Sequence, residues 1–150
     1  MENAKTIIEE GIERWNAHDR EGFLALYDEA ITFVDEPTGH ELHGREEFGK
    51  GFYDLWAEAY PDNKIKDPLV FAEGDLVCMQ AHFTGTHTGT YHGPDAEMPA
   101  TGKRIDGPYA FIAEVREGKV MSARIYYDRL STLEQEGIVT PEVLAQLPVG

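Results

Sequence analysis

The sequence predicts an α+β fold, with helices packed on one face of a curved antiparallel sheet that encloses a small-molecule pocket. Three observations predict it. The first third of the chain carries apolar stripes at helical spacing. Four long segments of alternating character follow, joined in pairs by two short turns. The inward faces of these segments, and of one short earlier strand, are apolar and hold a single carboxylate.

Ala4, Ile7, Ile8, Gly11, Ile12 and Trp15 recur at three- and four-residue spacing and predict the first helix, with Asn3 as its cap. A short second helix follows Asp19, with Phe23, Leu24, Leu26 and Tyr27 as its buried side. Ile31–Asp35 reads as a short strand. A third helix runs from about Arg45 to Tyr60 on the stripe Phe48, Phe52, Leu55, Trp56 and Ala59, and Pro61 stops it. The strands Ile65–Ala72 and Leu76–His87 flank the turn Glu73-Gly74-Asp75; Arg104–Arg116 and Lys119–Arg129 flank Glu117-Gly118. The loop Thr88–Gly102 joins these two hairpins, so the long strands form an antiparallel meander. Thr140-Pro141-Glu142 opens a short last helix. No repeat or linker divides the chain, which predicts one domain over residues 1–150 with 138–150 as a C-terminal extension.

Strand parity sorts the side chains. Val77, Met79, Ala81, Phe83 and, past Gly85, His87 share the inward face of one strand. Ile105, Gly107, Tyr109, Phe111, Ala113 and Val115 share it in the next, and Met121, Ala123, Ile125 and Tyr127 in the last. In the short strand Ile31, Phe33 and Asp35 share a face.

Charge narrows the partners. Twenty-eight Asp and Glu face thirteen Lys and Arg, a net charge of −15. Such a surface repels phosphate backbones and anionic headgroups, so neither nucleic acid nor a membrane is an expected partner. The one cysteine, Cys78, excludes an intrachain disulfide and a multi-cysteine zinc site. No stretch approaches the ~20 apolar residues of a membrane span, and no basic run precedes an apolar one near the start, so a cytoplasmic location is expected.

Asp35 is the sharpest chemical candidate. A carboxylate against apolar walls has its charged form disfavoured and becomes a useful general base. Its other reading is a turn aspartate bonded to the backbone of Glu36-Pro37-Thr38-Gly39. His87 reads either as an acid–base group at a pocket rim or as a packed histidine. Tyr109 reads either as a hydroxyl donor to a carbonyl oxygen or as a core tyrosine. Trp15 and Trp56 are core residues first and pocket wall second. His40 and His43 lie in a loop-like stretch. His82, His87 and His92 stand five apart, a spacing that converges on no metal. His82, Arg124 and Asp128 have outward parity and read as surface or subunit-contact groups. Neither a glycine-rich phosphate loop nor a nucleophilic triad is present.

Several runs carry a resemblance when taken in order. They are Arg14-Trp15-Asn16-Ala17-His18-Asp19, Ala59-Tyr60-Pro61-Asp62, Gly85-Thr86-His87-Thr88-Gly89, Pro99-Ala100-Thr101-Gly102-Lys103-Arg104, Glu117-Gly118-Lys119-Val120, Tyr126-Tyr127-Asp128 and Leu133-Glu134-Gln135-Glu136-Gly137. Together they resemble the SnoaL-like polyketide cyclases of the NTF2-like superfamily. The resemblance implies a cone, in which a curved sheet wraps a helix around an apolar pocket. It also implies a homo-oligomer, a dimer foremost, built on the outer sheet face. The cyclases close a ring by intramolecular aldol chemistry without a cofactor, and relatives isomerise ketosteroids. By spacing from Gly118-Lys119, the cyclases' acid/base Asp falls on Ile125 and their His on Phe111. Apolar residues move no proton, so that mechanism does not transfer as it stands. The isomerase-like base, at the end of the first strand, falls on Asp35.

These readings imply a cofactor-independent enzyme acting on a small apolar carbonyl-containing molecule. Asp35 would abstract a proton next to the carbonyl, and Tyr109 or His87 would steady the oxyanion. Trp15, Trp56, Met79, Phe83, Phe111, Ile125 and Tyr127 would form the walls. The alternatives are a non-catalytic protein that binds a hydrophobic ligand, and an interaction protein assembled through its outer sheet.

Overall fold

In the computed structural model, which describes residues 3–148, Asn3 caps α1 (Ala4–Asn16) by accepting the Thr6 N–H at 2.9 Å. Ile7, Ile8, Gly11 and Trp15 are its buried face. Asp19 caps α2 (Arg20–Leu24) by accepting the Gly22 N–H at 2.9 Å. That helix is shorter than expected. Tyr27 already opens β1 (Tyr27–Asp35), so the strand starts four residues ahead of Ile31. The turn after Asp35 reverses the chain into β2 (His40–His43), a strand where a loop was expected. The third helix is continuous but composite: α3 (Arg45–Phe48), a π-helical stretch (Gly49–Asp54) and α4 (Leu55–Ala59).

β3 (Lys64–Glu73) and β4 (Leu76–Thr86) form the first long hairpin, and β7 (Arg104–Arg116) and β8 (Lys119–Tyr127) the second. Between them lie the short strands β5 (Tyr91–His92) and β6 (Glu97–Met98). Glu117 and Gly118 both have positive φ, 52° and 74°, the pattern of a two-residue type I′ turn. Two short helices end the chain, α5 (Arg129–Gln135) and α6 (Pro141–Gln146). The last two positions of the expected 138–150 extension lie outside the described residues.

Six strands form one sheet in the order β2-β1-β8-β7-β4-β3. The meander β3-β4-β7-β8 is antiparallel as expected, but β8 then docks beside β1 in parallel. The reason is topological. The third helix carries the chain from the β1–β2 edge to the opposite edge, and the meander returns to β1 with its last strand pointing the same way. A register shift between Glu114 and Val115 turns Val120, rather than Met121, into the core.

The ordered sequence runs turn out to be pins between helix ends and the sheet. The Trp15 indole N–H donates to Asn63 Oδ1 at 2.6 Å. Asn16 donates to the Ile65 carbonyl at 3.0 Å and accepts the Ile65 N–H at 2.8 Å. Asp62 accepts the Thr86 N–H at 2.7 Å and its hydroxyl at 2.8 Å. Gly89 passes so close under α4 that an added Cβ would meet the Glu58 carbonyl oxygen at 1.9 Å. Gly89→Ala is therefore expected to cost about 1–3 kcal/mol of stability, read from urea midpoints. Gly107→Ala, where a Cβ meets nothing within 4 Å, serves as the neutral control.

Candidate active site

The space between α1, the third helix and the inner sheet face is a narrow apolar cavity, with about 80 Å³ open to water-sized groups. The structure places Trp15, Trp56, Met79, Phe83, Phe111, Ile125 and Tyr127 around it, together with Tyr109. Trp56 packs edge-on against Phe83 at 5.5 Å and Tyr127 at 5.6 Å, which fixes those rings as walls. The wall also includes a part the sequence pattern did not indicate. The chain leaves the sheet after Tyr127, and Asp128, Ser131 and Thr132 line the cavity as well. Asp128, expected to face outward on the last strand, instead caps α5 by accepting the Ser131 N–H at 3.0 Å. Gly137, with φ of 74°, follows the helix end. An N-cap aspartate and a C-terminal glycine thus bracketed α5 in the sequence.

Asp35 is buried, and its two carboxylate oxygens take separate partners. One carboxylate oxygen accepts the Thr38 N–H at 3.4 Å and so caps its own turn. The other accepts the Tyr127 hydroxyl at 3.2 Å. Asp35 is not itself part of the cavity wall. It stands opposite Ile125 in the β1–β8 ladder, and Ile125 and Tyr127 form the wall there. Desolvation pushes the Asp35 carboxyl up from the usual carboxylate range. The bonds from Tyr127 and Thr38, with the Arg129 charge, only partly oppose this. Burial, reinforced by Asp35, holds the Tyr127 phenol well above its ordinary value, so it is a neutral donor. Tyr91, from the loop between the hairpins, is held up at about 12 by burial and then by Asp35.

His87 is not at the cavity. β4 ends at Thr86, and the end of the third helix fills the space above: a Cβ on Gly85 would meet Tyr60 Cβ at 2.9 Å. His87 is fully buried there, with Nδ1 at 3.1 Å from Thr101 Oγ1 and its ring 5.1 Å from that of Tyr60. Glu136 joins them, with Oε1 at 3.4 Å from His87 Nδ1 and accepting the Tyr60 hydroxyl. Burial pushes the Glu136 carboxyl up to about 7 and lowers His87. The expected place of His87 at the pocket rim is thus corrected, and nothing in the sequence pattern signalled that Glu136 would meet it.

A sequence profile of the SnoaL-like polyketide cyclases matches residues 5–136. The chain belongs to that family. Among solved structures it is similar to a proposed polyketide cyclase from Pseudomonas putida KT2440. The two are 20% identical with a TM-score of 0.78, over 90% of this chain and 98% of that one. It is similar to an NTF2-like protein from Burkholderia thailandensis E264 at 18% identity and TM-score 0.74, over 94% and 100% of the two chains. A Catenulispora acidiphila DSM 44928 protein with a ketosteroid isomerase-like fold, in complex with trimethylamine, matches at 21% identity and TM-score 0.71, over 88% and 92%. No curated protein matches. The shared fold is the NTF2-like α+β fold with a curved sheet.

Within this SnoaL-like fold, Ile125 and Phe111 both face the cavity, where the cyclase resemblance would put an Asp and a His. The histidines find separate partners: His82 pairs with Asp106 and His92 with Glu97, each at 2.9 Å. Among the described residues no three His, Cys, Asp or Glu converge on a metal-sized site. No helix among them is long and apolar enough to cross a membrane.

Proposed function

We propose that this chain is a small-molecule enzyme of the SnoaL-like cyclase type. It performs acid–base chemistry next to a carbonyl, ring closure or isomerisation, on a slim apolar substrate and without a cofactor. The single observation that carries this is the Asp35–Tyr127 pair, in which a buried, weakened carboxyl holds a phenol that forms part of an otherwise apolar wall. Asp35 then acts through Tyr127. As the substrate C–H proton passes to the phenol oxygen, the phenol proton passes to Asp35 Oδ2, leaving an enolate. Tyr109, neutral because burial raises its pKa, donates to the developing oxygen. The test is α-proton exchange in D2O, followed by NMR, on a panel of apolar ketones and β-keto esters.

A second reading, non-catalytic binding of a hydrophobic ligand, has its own support. Ile125 and Phe111 leave the inner wall dry, and Asp35 also serves its turn. Binding without any exchange across the panel favours it.

For assembly we propose a second copy of the chain on the outer sheet face. Leu69, Phe71, Leu76, Ile112 and Tyr126 are exposed there, and Phe71, Cys78, Ile112 and Arg124 form one row across four strands. Sedimentation is expected to give a dimer for the wild type and a monomer for Phe71→Glu. A monomeric wild type overturns this.

A further inference from the structure

After Ile125 only one more of the described residues is buried, and it is an acid, Glu136. The large apolar side chains of this tail face outward instead: Leu130, Ile138, Val143 and Leu147 are all exposed. α5 buries no residue of its own, so apolar packing does little to hold it. What holds it is polar and lies at its C-terminal end. Gln135 accepts the Asp106 N–H at 2.7 Å and donates to the Asp106 carbonyl at 3.1 Å, on the stretch of β7 that β8 does not reach. Glu136, the next residue, enters a socket built by other parts of the chain. The Tyr60 hydroxyl donates to its Oε1, and His87 Nδ1 lies 3.4 Å from the same oxygen.

The socket is braced without α5. The His87 N–H donates to the Lys103 carbonyl, and the His87 carbonyl accepts the Gly102 N–H, each at 2.8 Å. Tyr60 stacks on Trp56 at 6.0 Å and meets Phe83 edge-on at 5.7 Å. Yet the socket suits only an uncharged acid. Glu136 Oε2 and His87 Nε2 are both buried and have no partner among the described residues. An ionised carboxylate with one bare oxygen is costly to bury, and a protonated one much less so. Burial accordingly raises Glu136 to about 7 and pushes His87 below its ordinary range. The other charged groups around the socket are engaged elsewhere or exposed. Asp106 pairs with His82, Asp62 accepts from Thr86, Arg129 pairs with Asp95, and Lys103, Arg104 and Glu134 are exposed. None supplies a counter-charge to Glu136.

We propose that α5 is a pH-governed flap of the cavity wall, latched by Glu136 in the Tyr60–His87 socket: the uncharged acid holds it down, and ionisation lets it lift. Lifting removes Ser131 and Thr132 from the wall and admits apolar molecules from that side. The chain stays tethered through Tyr127 and Asp128, so the sheet need not unfold. This goes beyond the proposed chemistry and does not depend on Asp35.

The experiment is amide hydrogen exchange on the full chain between pH 6 and pH 8, with rates corrected for the intrinsic effect of pH on exchange. The Thr132 and Glu136 amides, bonded to the Asp128 and Thr132 carbonyls, report on α5, and the β4–β7 ladder reports on the whole fold. Opening of α5 is expected to be about 10-fold more frequent at pH 8 than at pH 6, because a carboxyl ordinarily at 4.5 is held near 7 while latched. The β4–β7 amides should stay better protected than α5 at both values. In Glu136→Gln, which keeps the Tyr60 bond without a charge, α5 protection should not change with pH. The second readout is the stopped-flow rate at which N-phenyl-1-naphthylamine, neutral throughout this range, enters and brightens. That rate should rise about 10-fold over the same interval in wild type and stay flat in Glu136→Gln. Exchange of α5 in step with β4–β7 overturns the proposal, since the helix then opens only with the whole molecule. A pH dependence retained in Glu136→Gln also overturns it, as does α5 opening with no matching change in probe entry.

Discussion

Asp35→Asn is expected to reduce α-proton exchange by at least about 100-fold, on whichever ketone the wild type exchanges fastest, while leaving the fold and ligand affinity intact. The size follows from the share of a rate that a positioned general base supplies, roughly 10²–10⁴. The amide matches the carboxylate in shape and still accepts the Thr38 N–H that shapes the turn. What it loses is the basic oxygen that takes the Tyr127 proton. Tyr127→Phe should fall by a comparable factor, because it removes the atom through which Asp35 reaches the cavity. The pH profile has a fixed sign. Asp35 works ionised and its pKa is raised by desolvation, so exchange should climb as pH rises through a value above the ordinary carboxylate range. That step should vanish in Asp35→Asn. Undiminished exchange in Asp35→Asn removes Asp35 from the mechanism.

Glu136→Gln is expected to stabilise the protein at pH 8 by on the order of 3 kcal/mol and to change little at pH 4.5, as read from urea unfolding at several pH values. The folded carboxyl is raised from 4.5 to about 7 by burial. A group raised in the folded state contributes its stability below the unfolded pKa and loses it as pH rises through the folded one. Wild type should therefore weaken between about 4.5 and 7, and glutamine, neutral throughout, should not. The amide oxygen still accepts the Tyr60 hydroxyl. His87 acts in the other direction. Its pKa is lowered by burial, so its contribution is present above the unfolded value and lost as pH falls. The acid-side decline should thus persist in Glu136→Gln. A variant less stable than wild type at pH 8 would mean that Glu136 is ionised and paired with His87 in the folded state.

Periodicity and parity were good guides wherever one side chain's direction depends only on its neighbours in the strand. They placed Trp15, Met79, Phe111 and Ile125 around one cavity because each sits mid-element, where the pleat or the helical turn dictates facing. They failed at element ends. His87 is one residue beyond β4, and there the packing of Tyr60 on Gly85, not parity, decides what it touches. Asp128 is one residue beyond β8 and became a helix cap. Asp35 ends β1, and whether it faced the cavity or its turn depended on Tyr127, 92 positions later in the chain. The parallel docking of β8 beside β1 was likewise invisible, because each strand's pattern fits either direction of neighbour. The family runs were legible as an ordered set, yet their side chains mostly fasten helix ends to strands rather than act on a ligand.

The place of β8 between β7 and β1 has a consequence for how the protein is assembled in time. β1 is among the first strands to be synthesised and β8 is the last. Until β8 arrives, β1 and β7 each present a row of unpaired backbone groups, the kind of edge that recruits other chains. The cavity is equally unfinished, since Ile125, Tyr127 and the α5 residues that line it follow in the same final stretch. Pairings of such long sequence separation form slowly. The fold and the site are thus completed by the same late event, and a chain stopped short of β8 exposes both an adhesive edge and an open apolar interior.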